Sequence, residues 1–271
     1  MALIRVEHVS KAFAGRHGSI SIMQDISFDV ANSDFLALVG PSGCGKSTLL
    51  RLIQGLDRPT SGQVLFRDQP ISSVCPQMAM VFQSFALYPW LTVAQNVAFG
   101  LEALGWAPDR IKNQVERYIS VTGLDGFQEA YPRELSGGMR QRVGLARALA
   151  VEPSVLLMDE PFSALDPLTA EGLREEVLQL WRDPDLPPEA VLLVSHNIEE
   201  AIQLADRVIV LARRPSHVLA DVRVDLPRPR DRKSSAFYDL TDKVYSLITE
   251  GGAPVAATPA NGAPTPPQQA L

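Results

Sequence analysis

The sequence predicts an α/β fold built around a mainly parallel β-sheet. Five apolar stretches have the length of buried strands, and helical stretches separate most of them: Phe35–Val39, Met78–Phe82, Val155–Met158, Val191–Ser195 and Val208–Ala212. Strands that alternate with helices are typical of a parallel sheet with helices on both faces. The first stretch runs into a glycine-rich turn and the third ends in two acidic residues, which suits a sheet whose carboxyl edge binds a ligand.

Other stretches complete this outline. Short β-rich segments are predicted at 3–6, 26–30 and Gln63–Phe66, and helices at Lys46–Leu56, Pro167–Trp181, Asn197–Ala205 and Ser235–Glu250. The pattern from 92 to 150 is mostly helical, with interruptions at Pro108, Gly123 and Tyr131–Gly138, and it is interpreted as a subdomain inserted into the sheet. Residues 251–271 carry no charge and are rich in Pro, Ala, Gly and Thr, so they are predicted to be disordered.

Composition excludes several classes of protein. The 271 residues are 46% hydrophobic and 21% charged, as expected for a globular protein with a large core. No apolar run approaches the roughly 18 residues of a membrane span, and the first residues lack the apolar core of a signal peptide, which favours a cytosolic protein. A net charge of −6 argues against nucleic acid as the main partner.

The turn after the first buried strand fits the pattern G-x-x-x-x-G-K-[ST], which binds the phosphates of a nucleoside triphosphate. Its glycines let main-chain N–H groups point at phosphate oxygens, and the following helix adds positive charge at its N-terminus. We expect Lys46 to contact the β- and γ-phosphates and the Ser47 hydroxyl to bind Mg²⁺. The predicted phosphate-binding residues are Gly40, Pro41, Ser42, Gly43, Cys44, Gly45, Lys46, Ser47 and Thr48.

Cys44 is one of two cysteines, with Cys75, and no disulfide framework or metal-ligand spacing is present. A helix N-terminus and a neighbouring lysine both lower the pKa of a thiol. The sequence therefore predicts that Cys44 reacts with a maleimide faster than Cys75 does.

Two acidic residues, Asp159 and Glu160, follow the buried strand Val155–Met158. The carboxyl end of such a strand is where a metal-binding carboxylate belongs in an α/β sheet. Asp159 is suited to bind Mg²⁺, and Glu160 is suited to orient and deprotonate an attacking water.

A second glycine-rich turn, Leu-Ser-Gly-Gly-Met-Arg-Gln-Arg at 135–142, opens another helix. A chain with one nucleotide-binding loop gains little from a second anion cradle. The second cradle is useful if it closes on a nucleotide that another copy of the chain binds.

Here the sequence resembles the ATP-binding cassette (ABC) superfamily, because residues 135–142 look like its signature motif. Other motifs follow in the family's order over about residues 3–212: Gln83 as the Q-loop, Ser163–Asp166 as the D-loop and Ser195–His196 as the switch. Phe13 lies where an aromatic ring stacks on adenine. Asn197 and Phe13 depart from the pattern, since many relatives have Asp and Tyr at these positions.

The resemblance implies a P-loop NTPase (RecA-like) core with a small antiparallel β subdomain and an inserted α-helical subdomain. Residues 1–250 would form one ATPase domain, and two copies would bind two ATP molecules head to tail. Each ATP would be held by residues of one chain, namely Lys46, Ser47, Gln83, Asp159, Glu160 and His196, and Ser136 and Gly138 of the other chain would close over its γ-phosphate. The other implied nucleotide-binding residues are Phe13, the rest of the phosphate loop, Gly137 and Asp166. Lys46, Glu160 and His196 are the implied catalytic residues, and Ser47, Gln83 and Asp159 are the implied Mg²⁺ ligands.

Residues 83–101 and 213–231 resemble bacterial importer ATPases for nitrate, sulfonate, taurine and similar anions. The implied partners are transmembrane permease subunits and, indirectly, a substrate-binding protein, at the cytoplasmic side of the inner membrane. The aromatic-rich stretch Phe85–Leu91 is the predicted contact with the permease, and burial in a hinge is the alternative. The basic segment Arg228–Lys233 is interpreted as a solvated loop, with a membrane or partner contact as the alternative.

Two other functions remain open. A soluble ABC protein that acts on ribosomes or DNA usually carries two cassettes or a long coiled coil before the signature motif, whereas this chain has one cassette and a short interval. A GTPase or small-molecule kinase would leave the signature stretch unexplained, and the guanine-binding motif N-K-x-D is absent from the sequence.

Overall fold

The computed structural model describes residues 2–15, 18–186 and 188–250. The segment predicted to be disordered, 251–271, lies outside the described residues. No helix in the described part of the chain is long and apolar enough to cross a membrane.

The described residues form two sheets and seven α-helices. The strands are β1 (Ala2–Gly15), β2 (Gly18–Ala31), β3 (Phe35–Val39), β4 (Ser61–Phe66), β5 (Gln69–Pro70), β6 (Met78–Val81), β7 (Val155–Asp159), β8 (Ala190–Val194), β9 (Arg207–Leu211) and β10 (Val218–Arg223). The helices are α1 (Lys46–Gln54), α2 (Val93–Ala103), α3 (Pro108–Val121), α4 (Gly137–Ala150), α5 (Pro167–Arg182), α6 (Ile198–Leu204) and α7 (Ser235–Glu250), with a 3₁₀ turn at Pro132–Glu134.

The larger sheet has the strand order β10-β9-β3-β8-β7-β6. Strands β9, β3, β8, β7 and β6 run parallel, and only β10 is antiparallel to its neighbour. Both faces are covered, which is why these strands read as continuous apolar runs. Along β3, Ala37 and Val39 belong to one core cluster, whereas Leu36 and Leu38 belong to the other.

The smaller sheet is antiparallel, with the order β2-β1-β4-β5. Strands β1 and β2 have 14 residues each, far longer than the predicted segments 3–6 and 26–30. Many of their side chains are exposed, and register shifts interrupt the pairing, so the apolar pattern marks only part of each strand. The sequence does not predict the edge strand β10, because most of its residues are half-exposed or exposed and give no apolar pattern.

Helices α2, α3 and α4 lie between β6 and β7, where the sequence predicts mostly helical structure. Thr92 caps α2 through a reciprocal capping box with Gln95. Pro108 is the first residue of α3, where the main-chain nitrogen has no partner within the helix, so a proline there removes no hydrogen bond. Ser136 caps α4 by accepting a hydrogen bond from the Met139 N–H.

The basic segment Arg228–Lys233 is not a freely solvated loop, which corrects the sequence-based interpretation. The side chain of Arg230 is 2% exposed, and its guanidinium group donates to main-chain carbonyls near the end of α6. Arg228 pairs with Asp206, and Arg232 pairs with Glu171. The arginines of the segment thus attach the C-terminal part of the chain to the core.

Candidate functional site

The predicted site residues meet at the carboxyl edge of the larger sheet. The phosphate loop follows β3, Ser195 and His196 follow β8, Asp159 and Glu160 end β7, and Gln83 follows β6. These four strands are consecutive neighbours in the sheet and run parallel, so their carboxyl ends lie side by side.

The side chain of Lys46 is hydrogen-bonded to the phosphate loop that precedes it. Gly43 and Gly45 have φ angles of 75° and 106°, a region that glycine occupies without the penalty that other residues incur. The Lys46 ammonium group donates hydrogen bonds to the carbonyls of Gly40 (2.9 Å) and Pro41 (3.2 Å). The positive charge is therefore held directly over the loop whose main-chain N–H groups would face a phosphate.

Cys44 behaves differently from the sequence prediction. Its side chain is 1% exposed and belongs to the core beneath the loop. Burial raises the pKa of the Cys44 thiol and outweighs the lowering by Lys46 and by nearby main-chain N–H groups. Cys75 is also buried, and burial raises the pKa of its thiol as well. The predicted reactive thiolate at Cys44 is wrong, because the loop turns this side chain into the core.

Ser47 and Asp159 form the first pair of the site. The Ser47 hydroxyl donates a hydrogen bond of 2.7 Å to Oδ1 of Asp159. Burial raises the pKa of Asp159, and the charge of Glu160 raises it further, whereas the Ser47 hydrogen bond and the charges of Arg51 and Lys46 lower it. The half-buried carboxylate is thus disfavoured in its ionised form, and its oxygen and the serine oxygen are the hard donors that Mg²⁺ prefers.

Glu160 and His196 form the second pair. Nδ1 of His196 lies 3.2 Å from Oε2 of Glu160. Glu160 has a φ angle of 48°, which is uncommon for a residue with a side chain, and its N–H donates to the Val194 carbonyl at 3.0 Å. The side chain of Glu160 is 22% exposed and that of His196 is 55% exposed, so the pair faces solvent from the sheet edge.

Asn197 has a structural role in this chain. Its side chain caps α6 by accepting a hydrogen bond of 3.2 Å from the Glu200 N–H. Asn and Asp serve about equally well at this position. The departure from the family pattern therefore preserves the start of the helix that follows His196.

Gln83 is exposed and begins a loop that α4 holds in place. Phe85 and Ala86 have φ angles of 62° and 46°, and the Arg147 guanidinium donates to both of their carbonyls, at 3.2 Å and 2.7 Å. Burial lowers the pKa of Arg147. Sequence reasoning missed Arg147, because no local pattern links it to a loop 61 positions earlier.

The signature turn packs against the start of α5, which directly follows the D-loop in the same chain. A Cβ atom on Gly138 would lie 2.4 Å from Cγ2 of Thr169, so only glycine allows this approach. Asp166 caps α5 by accepting a hydrogen bond of 3.1 Å from the Thr169 N–H, and hydrogen bonding with the side chain and then the main chain of Thr169 lowers the pKa of Asp166. Ser136 itself is exposed at the start of α4.

Phe13 lies on β1 with 44% of its surface exposed. The Lys11 ammonium group is 4.8 Å from the centre of its ring. Lys11 is also bonded to Asp57 at 2.7 Å. The ring is therefore accessible for stacking on a planar ligand.

Sequence comparison identifies a family. The sequence profile described as "ABC transporter" matches residues 23–163. A nitrate import ATP-binding protein of Synechocystis sp. is 41% identical over 254 residues, covering 90% of this chain and 94% of the relative. An aliphatic sulfonates import ATP-binding protein of Bacillus cereus is 37% identical over 249 residues, covering 92% and 97%.

Comparison with solved structures supports the same family. A dimeric ATP-binding cassette in a post-hydrolysis state, bound to ADP and Pi, has a TM-score of 0.72 at 28% identity. The match covers 82% of this chain and 98% of that one, which confirms the predicted α/β P-loop fold. The chain therefore belongs to the ATP-binding proteins of the ABC transporter family, and it is an ATPase.

Proposed function

We propose that the chain drives a bacterial importer by hydrolysing ATP at the carboxyl edge of its larger sheet. The observation that carries the proposal is the placement of two pairs, Ser47 with Asp159 and Glu160 with His196, on neighbouring strand ends. Residues 1–250 would act as one ATPase domain, with the helices of 92–150 as a subdomain. The import relatives favour this function over one on ribosomes or DNA.

ATP would bind with its phosphates in the loop 40–48. Main-chain N–H groups and the N-terminus of α1 face this space, and Lys46 would exchange its two carbonyl partners for phosphate oxygens. This exchange costs little, because the lysine gains charged acceptors in place of neutral ones. The exposed ring of Phe13 would stack on the adenine.

Mg²⁺ fits the donors at the first pair. Ser47 and Asp159 would hold it together with Gln83, and phosphate oxygens would complete a set that Mg²⁺ commonly accepts. When bound, the ion supplies positive charge that offsets the negative charge on the phosphates.

Hydrolysis needs a base and a group that orients it. Glu160 would accept a proton from the attacking water while the water oxygen bonds to the γ-phosphorus and the bond to the β-phosphate oxygen breaks. His196, hydrogen-bonded to Glu160, would hold the carboxylate and contact the γ-phosphate. The products are ADP and inorganic phosphate, and catalysis consists mainly of positioning and electrostatic stabilisation.

The second half of each site would come from a second copy of the chain, arranged head to tail. Ser136 is exposed at the start of α4, Gly137 is half-buried and Gly138 is buried against Thr169, and the first main-chain N–H groups of a helix have no partner within the helix. These groups would close over the γ-phosphate of the ATP bound by the other chain. Asp166, beside the signature turn, would then lie at the same interface.

An aromatic surface next to Gln83 is the proposed contact with the permease. Tyr88, Trp90 and Phe99 form it, with ring centres 5.7 Å apart for Tyr88–Trp90 and 4.4 Å apart for Tyr88–Phe99. Trp90 is 69% exposed and Phe99 is 41% exposed. Aromatic side chains of this kind are common anchors of interfaces.

The loop that carries this surface is held firmly. The buried Asn96 accepts a hydrogen bond from the Tyr88 N–H at 2.9 Å and donates to the Tyr88 carbonyl at 3.2 Å. Because Gln83 is attached to the same loop, the state of the nucleotide could be passed to a docked permease. The chain would then sit at the cytoplasmic side of the inner membrane, and a substrate-binding protein would deliver an anion such as nitrate, sulfonate or taurine to the permease.

Glu160→Gln is expected to lower ATP hydrolysis by about 10²- to 10⁴-fold, because the amide keeps the shape but cannot accept a proton. ATP binding should persist, and the variant should form a dimer with Mg-ATP on sizing chromatography. Glu116→Gln, at an exposed position on α3, is the matched control and should behave as wild type. Near-normal turnover of Glu160→Gln would remove this residue from the role of base.

Asp159→Asn is expected to keep or raise the melting temperature of the nucleotide-free protein at pH 7.5. Since the folded-state pKa of Asp159 is raised, its ionisation disfavours the folded state once the pH exceeds that pKa, and a neutral amide removes this cost. Mg²⁺-dependent hydrolysis should fall by about 10²-fold or more. Asp125→Asn, an exposed position, is the control. A clear drop in melting temperature specific to Asp159→Asn would contradict the assigned electrostatics.

Trp90→Ala with Phe99→Ala is expected to weaken co-purification with the permease and to leave the melting temperature and ATP binding of the isolated subunit unchanged. Both rings are exposed, so their loss removes little of the core. Tyr245→Ala, an equally exposed aromatic residue on α7, is the control and should assemble normally. Normal assembly of the double variant would show that the aromatic surface is not the docking site.

A further inference from the structure

Helix α6 follows His196 and is too short to hold its own position. It has seven residues, Ile198–Leu204, whereas isolated helices shorter than about 12 residues are marginal in water. The place of this helix, and of the residues just before it, must therefore be set by contacts with the rest of the chain.

Arg230 holds the C-terminal end of α6. Its Nη1 donates to three carbonyls of the last turn and the residue after it: Ile202 at 2.6 Å, Gln203 at 3.2 Å and Ala205 at 2.6 Å. The carbonyls at this end of a helix have no partner within the helix, and a positive charge there is favourable. Burial lowers the pKa of Arg230 to about 10, so the group stays charged at neutral pH. Arg228 adds a hydrogen bond to the Leu204 carbonyl.

A buried polar network holds the N-terminal end of α6. The hydroxyl of Ser195, the residue before His196, donates to Oε1 of Glu200 at 2.7 Å. Oε2 of Glu200 accepts a hydrogen bond of 3.1 Å from Nε of Arg174 on α5. Ser195 is 2% exposed and Glu200 is 7% exposed, so solvent screens these contacts little.

Arg232 completes the network from the C-terminal segment. Its guanidinium pairs with Glu199 on α6 and, at 3.3 Å, with Glu171 on α5, which also binds Arg174 at 2.8 Å. A continuous chain of polar contacts thus runs from the residue beside His196 to Arg232. Several linked charges can contribute where an isolated surface pair does not.

Arg232 and the proposed catalytic pair also face the same space. A cavity of about 300 Å³ is lined by Glu160 and His196, by Ser163 of the D-loop and by Arg232. Movement of Arg232 would therefore change the surroundings of the pair as well as the position of α6.

We propose that Arg228, Arg230 and Arg232 form a C-terminal clasp that positions α6 and thereby His196 for hydrolysis. The inference rests on the role proposed for His196. Among the described residues, no hydrogen bond or ion pair joins these arginines to the phosphate loop 40–48 or to the signature turn 135–142. The clasp therefore acts on the rate of hydrolysis and not on the binding of ATP. The basic segment is explained by this function without a membrane or a nucleic acid as partner.

The test uses the full-length chain and compares kcat and KM for ATP, together with the melting temperature. Arg232→Gln should lower kcat about two- to fivefold, the range expected for partly exposed ion pairs, with KM and melting temperature close to wild type. Glu199→Gln should lower kcat in the same direction. The double variant should lose no more than Arg232→Gln alone, because Arg232→Gln already removes the ion pair that Glu199→Gln removes.

Lys233→Gln is the matched control, since it removes the same charge one position away. The Lys233 side chain forms no ion pair within the described residues, so kcat should not change. An unchanged kcat for Arg232→Gln, or a fall in kcat matched by a fall in melting temperature and a rise in KM, would overturn the clasp. Additive losses in the double variant would overturn it as well.

His196→Ala is measured in the same assay to distinguish the proposed role of His196 from that of the clasp. If this variant keeps its kcat, the proposed role of His196 fails, and the clasp fails with it. If His196→Ala loses kcat but Arg232→Gln does not, the clasp alone is overturned and the role of His196 stands.

Discussion

The parallel pairing of β3, β8, β7 and β6 is the constraint on which the site depends. Strands that run parallel in one sheet end at the same edge, so the residues after them are neighbours however far apart they lie along the chain. Ser47 and Asp159 are 112 positions apart, yet they are joined by a hydrogen bond of 2.7 Å. The buried apolar strands fix this register, because a slip would move whole rows of side chains out of the two cores.

The same arrangement explains why the site favours a charged ligand. Asp159 is half-buried beside Glu160, and both effects disfavour its ionised form. The ammonium group of Lys46 is hydrogen-bonded only to neutral main-chain carbonyls within the described residues. A triphosphate with its cation would place positive charge beside Asp159 and charged acceptors beside Lys46. The nucleotide-free site is thus already arranged to bind both. The clasp would likewise hold His196 in position before ATP binds, through contacts that reach the C-terminal segment.

Sequence alone predicts the parts of the fold that are locally marked. Strands β3, β7, β8 and β9 were placed within a residue or two, because buried strands read as continuous apolar runs, and the loop motifs fall at their ends. In the half-exposed strands the signal is weaker, since it marks only part of β1 and β2 and none of β10. Cys44 was misjudged because the motif does not say which side of the loop faces the core. Arg147 and Arg230 were missed because their partners are main-chain carbonyls in distant segments.

In the proposed dimer, each ATP lies between the phosphate loop and base of one chain and the signature turn of a second chain. The most direct measurement is a structure of the Glu160→Gln variant with Mg-ATP, which should trap the closed state. We expect two ATP molecules between two chains, each with its γ-phosphate coordinated to the Mg²⁺ held by Ser47 on one side and within hydrogen-bonding distance of Ser136 of the partner subunit on the other. ATP contacted by residues of a single chain only, with both signature turns facing solvent, would contradict it.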